Sequence, residues 1–300
     1  MIIKPLRLEP GQKIGIIAPG GPVKPSELML PITILQDNGY QIATSPNLFG
    51  QEGYLSGDDE SRLSDIHKMF EDKDIRAILC ARGGYGSLRI IDRINYELIR
   101  NNPKIFIGYS DITALLLAIY NKTGLVVFHG PVARELDHQR EDNLKNLKTF
   151  LSGDSPNVEI TAGNFLKAGI AHGPVIGGNL SIIASLTGTP YMPAMAGCIL
   201  FIEEKNESLY RIDRMLTQLR LNGLLDDLKG IVMGSFVDCG PMSDVENLLI
   251  DITKDFSYPI LSGLPSGHGI DNRIIPLGIH GVIDTEKISI TFKEEFFSHD

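Results

Sequence analysis

Tryptophan is absent from this chain of 300 residues, and aromatic residues of every kind make up only 7% of it. That scarcity argues against a base-stacking platform for nucleic acid. Positive charge is short as well: 28 lysines and arginines stand against 37 acidic residues, a formal net charge of −9. The balance argues against nucleic acid and anionic membrane surfaces as principal partners, but it leaves a small substrate open. Cysteine is sparse. Cys80, Cys198 and Cys239 are far apart and form no C-x-x-C pair, which speaks against a disulfide framework or a zinc site and for a reducing compartment. Nor is any run apolar for long enough to cross a bilayer, and Met1–Arg7 lacks the apolar stretch of a signal peptide. We therefore expect a cytoplasmic protein.

What is present is alternation. Strands are expected at Lys13–Ala18, Gln41–Thr44, Arg76–Cys80, Lys104–Gly108 and Leu125–Phe128. Helical patterns run near Ser26–Gln36, Glu60–Phe70, Ser87–Ile99 and Asp111–Tyr120. Asp58 or Asp59 can cap the second helix, and Asn38-Gly39 stops the first. Five strands joined by such helices predict an α/β fold with a doubly wound, mostly parallel sheet. Ligands bind such sheets beyond the carboxyl ends of the strands. The chain then turns polar from Val132 to about Lys167. We expect an N-terminal α/β domain over 1–152, a connector over 153–167, and a second, smaller mixed α/β domain over 168–300. In the latter, Leu180–Thr187 reads as a helix, as do the spaced apolar residues Leu209, Ile212, Met215, Leu216 and Leu219. Cys198–Ile202, Gly230–Met233 and Lys287–Phe292 read as strands.

Gly108-Tyr109-Ser110-Asp111 falls between a strand and a helix. A serine at such a turn is exposed beside backbone N–H groups that can hold an oxyanion, which makes Ser110 a candidate nucleophile. Ile112 stands where the second glycine of a G-x-S-x-G elbow would be, and an ordinary helix cap remains an alternative. Arg82-Gly83-Gly84-Tyr85-Gly86-Ser87 follows the strand ending at Cys80. It can be a phosphate loop without a Walker ending, an oxyanion loop presenting the Gly84 N–H, or a plain tight turn. A nucleophile needs a base. His67, His138 and His299 read as surface residues, His129 and His172 as caps of His-Gly-Pro turns, and His280 as strand edge. His268, in a glycine-flanked loop, is best placed to reach a cleft. Glu203-Glu204 ends an apolar strand, so one of the two carboxylates can point inward to orient a base. Cys80 as an amidotransferase nucleophile is disfavoured by its place inside a strand.

Several motifs occur together in one order: Ile16-Ile17-Ala18-Pro19, Gly57-Asp58-Asp59-Glu60, Ala81 to Ser87, Gly108 to Asp111, His129-Gly130-Pro131, Gly177 to Leu180, Tyr210 to Leu216, and Gly267-His268-Gly269. In combination, over nearly the whole chain, they resemble the serine LD-carboxypeptidases, or muramoyltetrapeptide carboxypeptidases, a family that includes microcin C self-immunity proteins. The resemblance implies a Ser-Glu-His triad of Ser110, Glu203 and His268 split between two domains, working without metal or cofactor. The Gly84 and Asp111 N–H groups are the expected oxyanion donors at the helix N-terminus, and the resemblance suggests a homodimer. Arg82 is a candidate partner for the substrate carboxylate. The stretch Lys205–Leu209 departs from the family's common form. The expected reaction is release of the terminal D-alanine from a murein tetrapeptide during cell-wall recycling. Two alternatives stand beside it: cleavage of a peptidyl-nucleotide, or a non-catalytic protein binding a ligand in its cleft.

Overall fold

The computed structural model describes residues 2–137, 141–152 and 158–298. In chain order the first half holds β1 (Lys13–Ile17), α1 (Pro25–Asp37), β2 (Gln41–Thr44), α2 (Asp59–Glu71), β3 (Ile75–Cys80), α3 (Tyr96–Asn101), β4 (Ile105–Gly108), α4 (Thr113–Thr123), β5 (Val127–His129) and α5 (Glu141–Ser152). The second half holds β6 (Val158–Thr161), β7 (Asn164–Lys167), β8 (Ile170–Asn179), α6 (Leu180–Leu186), β9 (Ile199–Lys205), α7 (Leu209–Leu221), β10 (Gly230–Val237), α8 (Met242–Ile252), β11 (Ile260–Ser262), β12 (Ile275–Leu277), β13 (His280–Asp284) and β14 (Ser289–Phe292).

Two sheets result. The first runs β12-β5-β4-β3-β1-β2 and is parallel except for β12. Its strand order reverses between β1 and β3, the kind of switch point beside which such sheets bind ligands. The second runs β6-β14-β13-β8-β9-β10-β11-β7, with β8 to β11 parallel and the outer strands antiparallel. Uninterrupted apolar runs explain the parallel strands, because both of their faces are covered. Residues 105–108 and 199–204 are buried throughout. α4 is apolar all round, and Thr113 to Ile119 are all buried. Such a helix belongs between layers, and α4 packs on both β8 and α6.

One expectation is corrected. The segment read as a helix over Ser87–Ile99 is instead two short turns, Ser87–Arg89 and Ile91–Arg93, followed by α3. Gly86, at φ +135°, cannot open a regular helix. Within the stretch expected as a connector over 153–167, β6 and β7 lie at opposite edges of the second sheet. The second sheet has eight strands against the six of the first.

Chain order and sheet membership also part company. β12, after the His268 loop, pairs antiparallel with β5 of the first sheet, Ile275 opposite His129. Phe296 and Phe297, near the end of the chain, pack against Phe150, and Phe297 also against Phe128. Ser298 donates its N–H to the carbonyl of Pro5 at 2.9 Å.

Candidate active site

Ser110 stands at the carboxyl end of β4. Tyr109 before it is extended, and Ser110 itself takes φ +64° before a tight turn leads into α4. A left-handed serine is strained, and such strain persists only where the surroundings enforce it. Here Gly108 does so: a Cβ on it would lie 2.8 Å from Ile112 and 3.2 Å from Cys80. The strand therefore approaches the turn too closely for any side chain.

The glycine loop after β3 closes over this turn. A Cβ on Gly83 would lie 2.8 Å from the Cβ of Ser110 and 3.1 Å from its Oγ. Gly83, which sequence reasoning passed over, is thus the glycine lying against the serine. Gly84, at φ +104°, faces the backbone of Gly21 in the loop after β1, and Gly21 N–H donates to Gly83 O at 2.8 Å. Two buried side chains, Asp111 and Arg62, brace the loop. Asp111 Oδ2 accepts from Ser87 N–H at 2.9 Å; burial pushes its carboxyl up, and that bond pulls it down. Arg62 of α2 donates through Nη1 to Pro19 O at 2.5 Å and Gly86 O at 2.9 Å, and pairs with Asp59 through Nη2. Arg82 is half-buried and donates to Pro22 O at 2.7 Å.

The opposite wall comes from β9, β10 and the loop after β11. Strand alternation points Phe201 and Glu203 one way and Glu204 the other. Glu203, wholly buried, places Oε2 at 2.6 Å from His268 Nδ1. Glu204 serves a helix instead. It accepts from Ser181 N–H at 2.8 Å and from the Asn179 side chain at 2.9 Å, at the start of α6. Burial pushes the Glu203 carboxyl up, but His129 and His268 outweigh that and hold it down at about 2. A second imidazole, His129, points Nε2 at the other oxygen of Glu203 from 3.7 Å.

Glycines again permit the approach. A Cβ on Gly267, at φ +112°, would come within 2.6 Å of Glu203 Oε2, and one on Gly234 would collide with Ser266 O. The loop is braced by Ser235, which accepts from Gly269 N–H at 2.9 Å and donates to Ser266 O at 3.0 Å. His268 is thereby set against the ring of Tyr109, the residue before Ser110, with ring centroids 4.7 Å apart.

The two walls meet directly. Asn179 N–H donates to the Thr113 hydroxyl at 3.1 Å, joining the end of β8 to the start of α4. Ser110, Gly83, Asp111 and His129 thus come from the first sheet and its loops, with Glu203 and His268 opposite them.

The remaining candidates lie elsewhere. His67 sits in α2 and accepts from Asn95 N–H at 2.9 Å. His172 and His280 are exposed on paired strands β8 and β13. His172, read as a turn cap, therefore sits within a ladder, because the Gly-Pro after it continues the strand. His129 is corrected too: it is buried in the site rather than capping a turn. His138 and His299 lie outside the described residues. Cys80 is buried inside β3, and burial pushes its thiol up, against a thiolate.

Comparison with known proteins agrees over nearly the whole chain. The LD-carboxypeptidase N-terminal domain model matches residues 14–130, and the LD-carboxypeptidase C-terminal domain model matches residues 172–283. A probable murein peptide carboxypeptidase of Bacillus subtilis is 38% identical, covering 96% of this chain and 93% of that one. MccF, the microcin C7 self-immunity protein of Escherichia coli, has been solved in complex with glutamyl sulfamoyl guanosine. That structure superposes with a TM-score of 0.92 at 26% identity, over 98% of this chain and 99% of that one. A muramoyltetrapeptide carboxypeptidase structure from Oxalobacter formigenes gives 0.81 at 28% identity, over 93% and 97%. With both of its domain models matched in order, and a relative this similar along almost the full length, the chain belongs to the LD-carboxypeptidase family.

Proposed function

We propose that this protein is a serine-type LD-carboxypeptidase that releases the terminal D-alanine of a murein tetrapeptide through an acyl-enzyme on Ser110. The observation that carries the reading is the 2.6 Å pairing of His268 with a buried, ionised Glu203, the imidazole packed on Tyr109, which immediately precedes the strained Ser110. Glu203 fixes the proton of His268 on Nδ1, which leaves Nε2 to accept the proton of Ser110. Ser110 Oγ attacks the carbonyl of the scissile amide. The oxyanion forms between the N–H groups of Gly84 and Asp111 at the start of the turn into α4. The C–N bond then breaks as His268 hands its proton to the departing amine. Water, deprotonated by the same imidazole, hydrolyses the ester.

Ser110→Ala is expected to stop D-alanine release while leaving the circular dichroism unchanged; turnover by that variant would overturn the reading. Arg82 receives the terminal carboxylate of the peptide as a fixed cation, its orientation set by the bond to Pro22 O. Arg82→Lys keeps the charge and loses the planar fork, so KM rises while kcat changes little. An unaltered KM would remove Arg82 from the binding site.

One observation favours a second substrate: the MccF structure, with its bound aminoacyl sulfamoyl nucleoside, superposes at 0.92. A peptidyl-nucleotide presents the same triad with the same kind of amide. The ratio of kcat/KM on murein tetrapeptide to that on an aminoacyl sulfamoyl nucleoside separates the two, and we expect it to favour the tetrapeptide. The reading also places the enzyme in the cytoplasm, as a homodimer recycling wall fragments; among the described residues no helix is long and apolar enough to cross a membrane.

A further inference from the structure

We infer that His129 is a positioning residue for this reaction: its buried imidazole presents Nε2–H to Oε1 of Glu203 and fixes the carboxylate plane that His268 uses. The inference rests on the triad proposed above.

His129 is completely buried at the end of β5. Among the described residues, neither of its ring nitrogens has a hydrogen-bond partner, and neither does Glu203 Oε1. These unpartnered groups face each other at 3.7 Å across the junction of the two sheets. A buried donor and a buried anionic acceptor are each costly when unpaired, and a shift of under about 1 Å would pair them and remove both penalties. The ring is held in that direction on both sides. Phe201 meets it edge-on with centroids 4.9 Å apart, and Tyr109 does so at 5.7 Å.

The place of His129 in the fold suits the role. Its backbone pairs with Gly108, two residues before Ser110, and with Ile275 in the strand that follows the His268 loop. Its side chain faces Glu203. One residue therefore touches the frame of all three triad members.

The fitting state is a neutral ring with its proton on Nε2. A second imidazolium would share the charge of Glu203 and weaken its hold on the proton that His268 gains from Ser110. A neutral N–H donor leaves that charge to His268 while stopping the carboxylate from rotating away, as outer hydrogen-bond partners do for metal-ligating imidazoles and carboxylates.

The test compares His129→Phe, which keeps an aromatic ring and removes the N–H, with His129→Gln, which retains a side-chain N–H. In His129→Phe, kcat on murein tetrapeptide is expected to fall about 10- to 100-fold with KM unchanged. Phosphonylation of Ser110 by a fluorophosphonate, with loss of fluoride, is expected to slow by the same factor. The far-downfield proton signal of His268 Nδ1 moves upfield, and His129→Gln recovers most of each loss. Nitrogen NMR of the unmodified protein shows His129 neutral and protonated on Nε2, a measurement that needs no variant to fold.

A folded His129→Phe with unaltered kcat overturns the inference. So does a His129→Gln no better than His129→Phe with the His268 signal unmoved, which marks packing alone, and so does an imidazolium or Nδ1–H tautomer of His129. Turnover by Ser110→Ala would instead remove the triad itself, so the two failures are told apart.

Discussion

Glu203 is where burial and charge compete most directly. Desolvation alone favours the neutral acid, but two imidazoles on its two oxygens reverse the balance and hold the carboxyl down at about 2. In the unfolded chain the same group titrates at about 4.3. The folded protein thus binds this proton more weakly than the unfolded one. The contribution of Glu203 to stability is complete above the ordinary carboxylate range, and it drains away as pH falls toward about 2. Glu203→Gln removes that titration. Its stability should be flatter between about pH 4.5 and 2 by up to one proton, or about 1.4 kcal/mol per pH unit. Urea titrations across that range measure this, and an identical acid limb in both proteins would refute it. The preference for Glu203 over Glu204 came from resemblance to a family pattern. Strand alternation guarantees that the two face opposite ways, but only β8 and α6 on one side and His268 on the other decide which faces the site.

At the scale of elements, the site is built by loops that glycine lets come together. Three close approaches define it: Gly83 on Ser110, Gly84 on Gly21, and Gly267 on Glu203. Gly267→Ala adds a methyl 2.6 Å from Glu203 Oε2 at φ +112°. We expect a stability loss of about 1–3 kcal/mol and a fall in kcat of about 100-fold, because His268 is displaced from its partner. Thermal unfolding and steady-state kinetics measure the two losses, and a fully active Gly267→Ala would contradict this account of the loop. The Gly-rich motifs were visible in the sequence, as were β4 and the helix after it. Which glycine would touch the serine was not, because that depends on how the loops after β1 and β3 interlock through Gly21 and Gly83. The run Ser87–Ile99 shows the opposite failure. Its helical pattern is overridden by the positive φ of Gly86 and by Arg62 and Asp111, which hold the loop around it.

Over the whole molecule the N-terminal layer is completed by the end of the chain. β12 covers the edge of β5, and Phe296 and Phe297 pack with Phe128 and Phe150. A fragment of residues 1–152 would therefore expose an open strand edge and an apolar face. We expect it to lack near-ultraviolet circular dichroism and to aggregate, whereas a monomeric, cooperatively unfolding fragment would show that this layer stands alone. Residues 275–277 and 296–298 are also why the expected division at 153–167 describes the chain better than it describes the packing. The sequence by itself determined the alternating elements, the parallel first sheet and the chemistry-bearing loops, since periodicity, glycine placement and motif order are local properties. Only the tertiary structure decided that β12 returns to the first sheet, that Gly83 lies against Ser110, that Glu203 rather than Glu204 meets His268, and that His129 lines the site. Each of these depends on contacts between residues far apart in the chain, and no local pattern records which distant surface a side chain will meet.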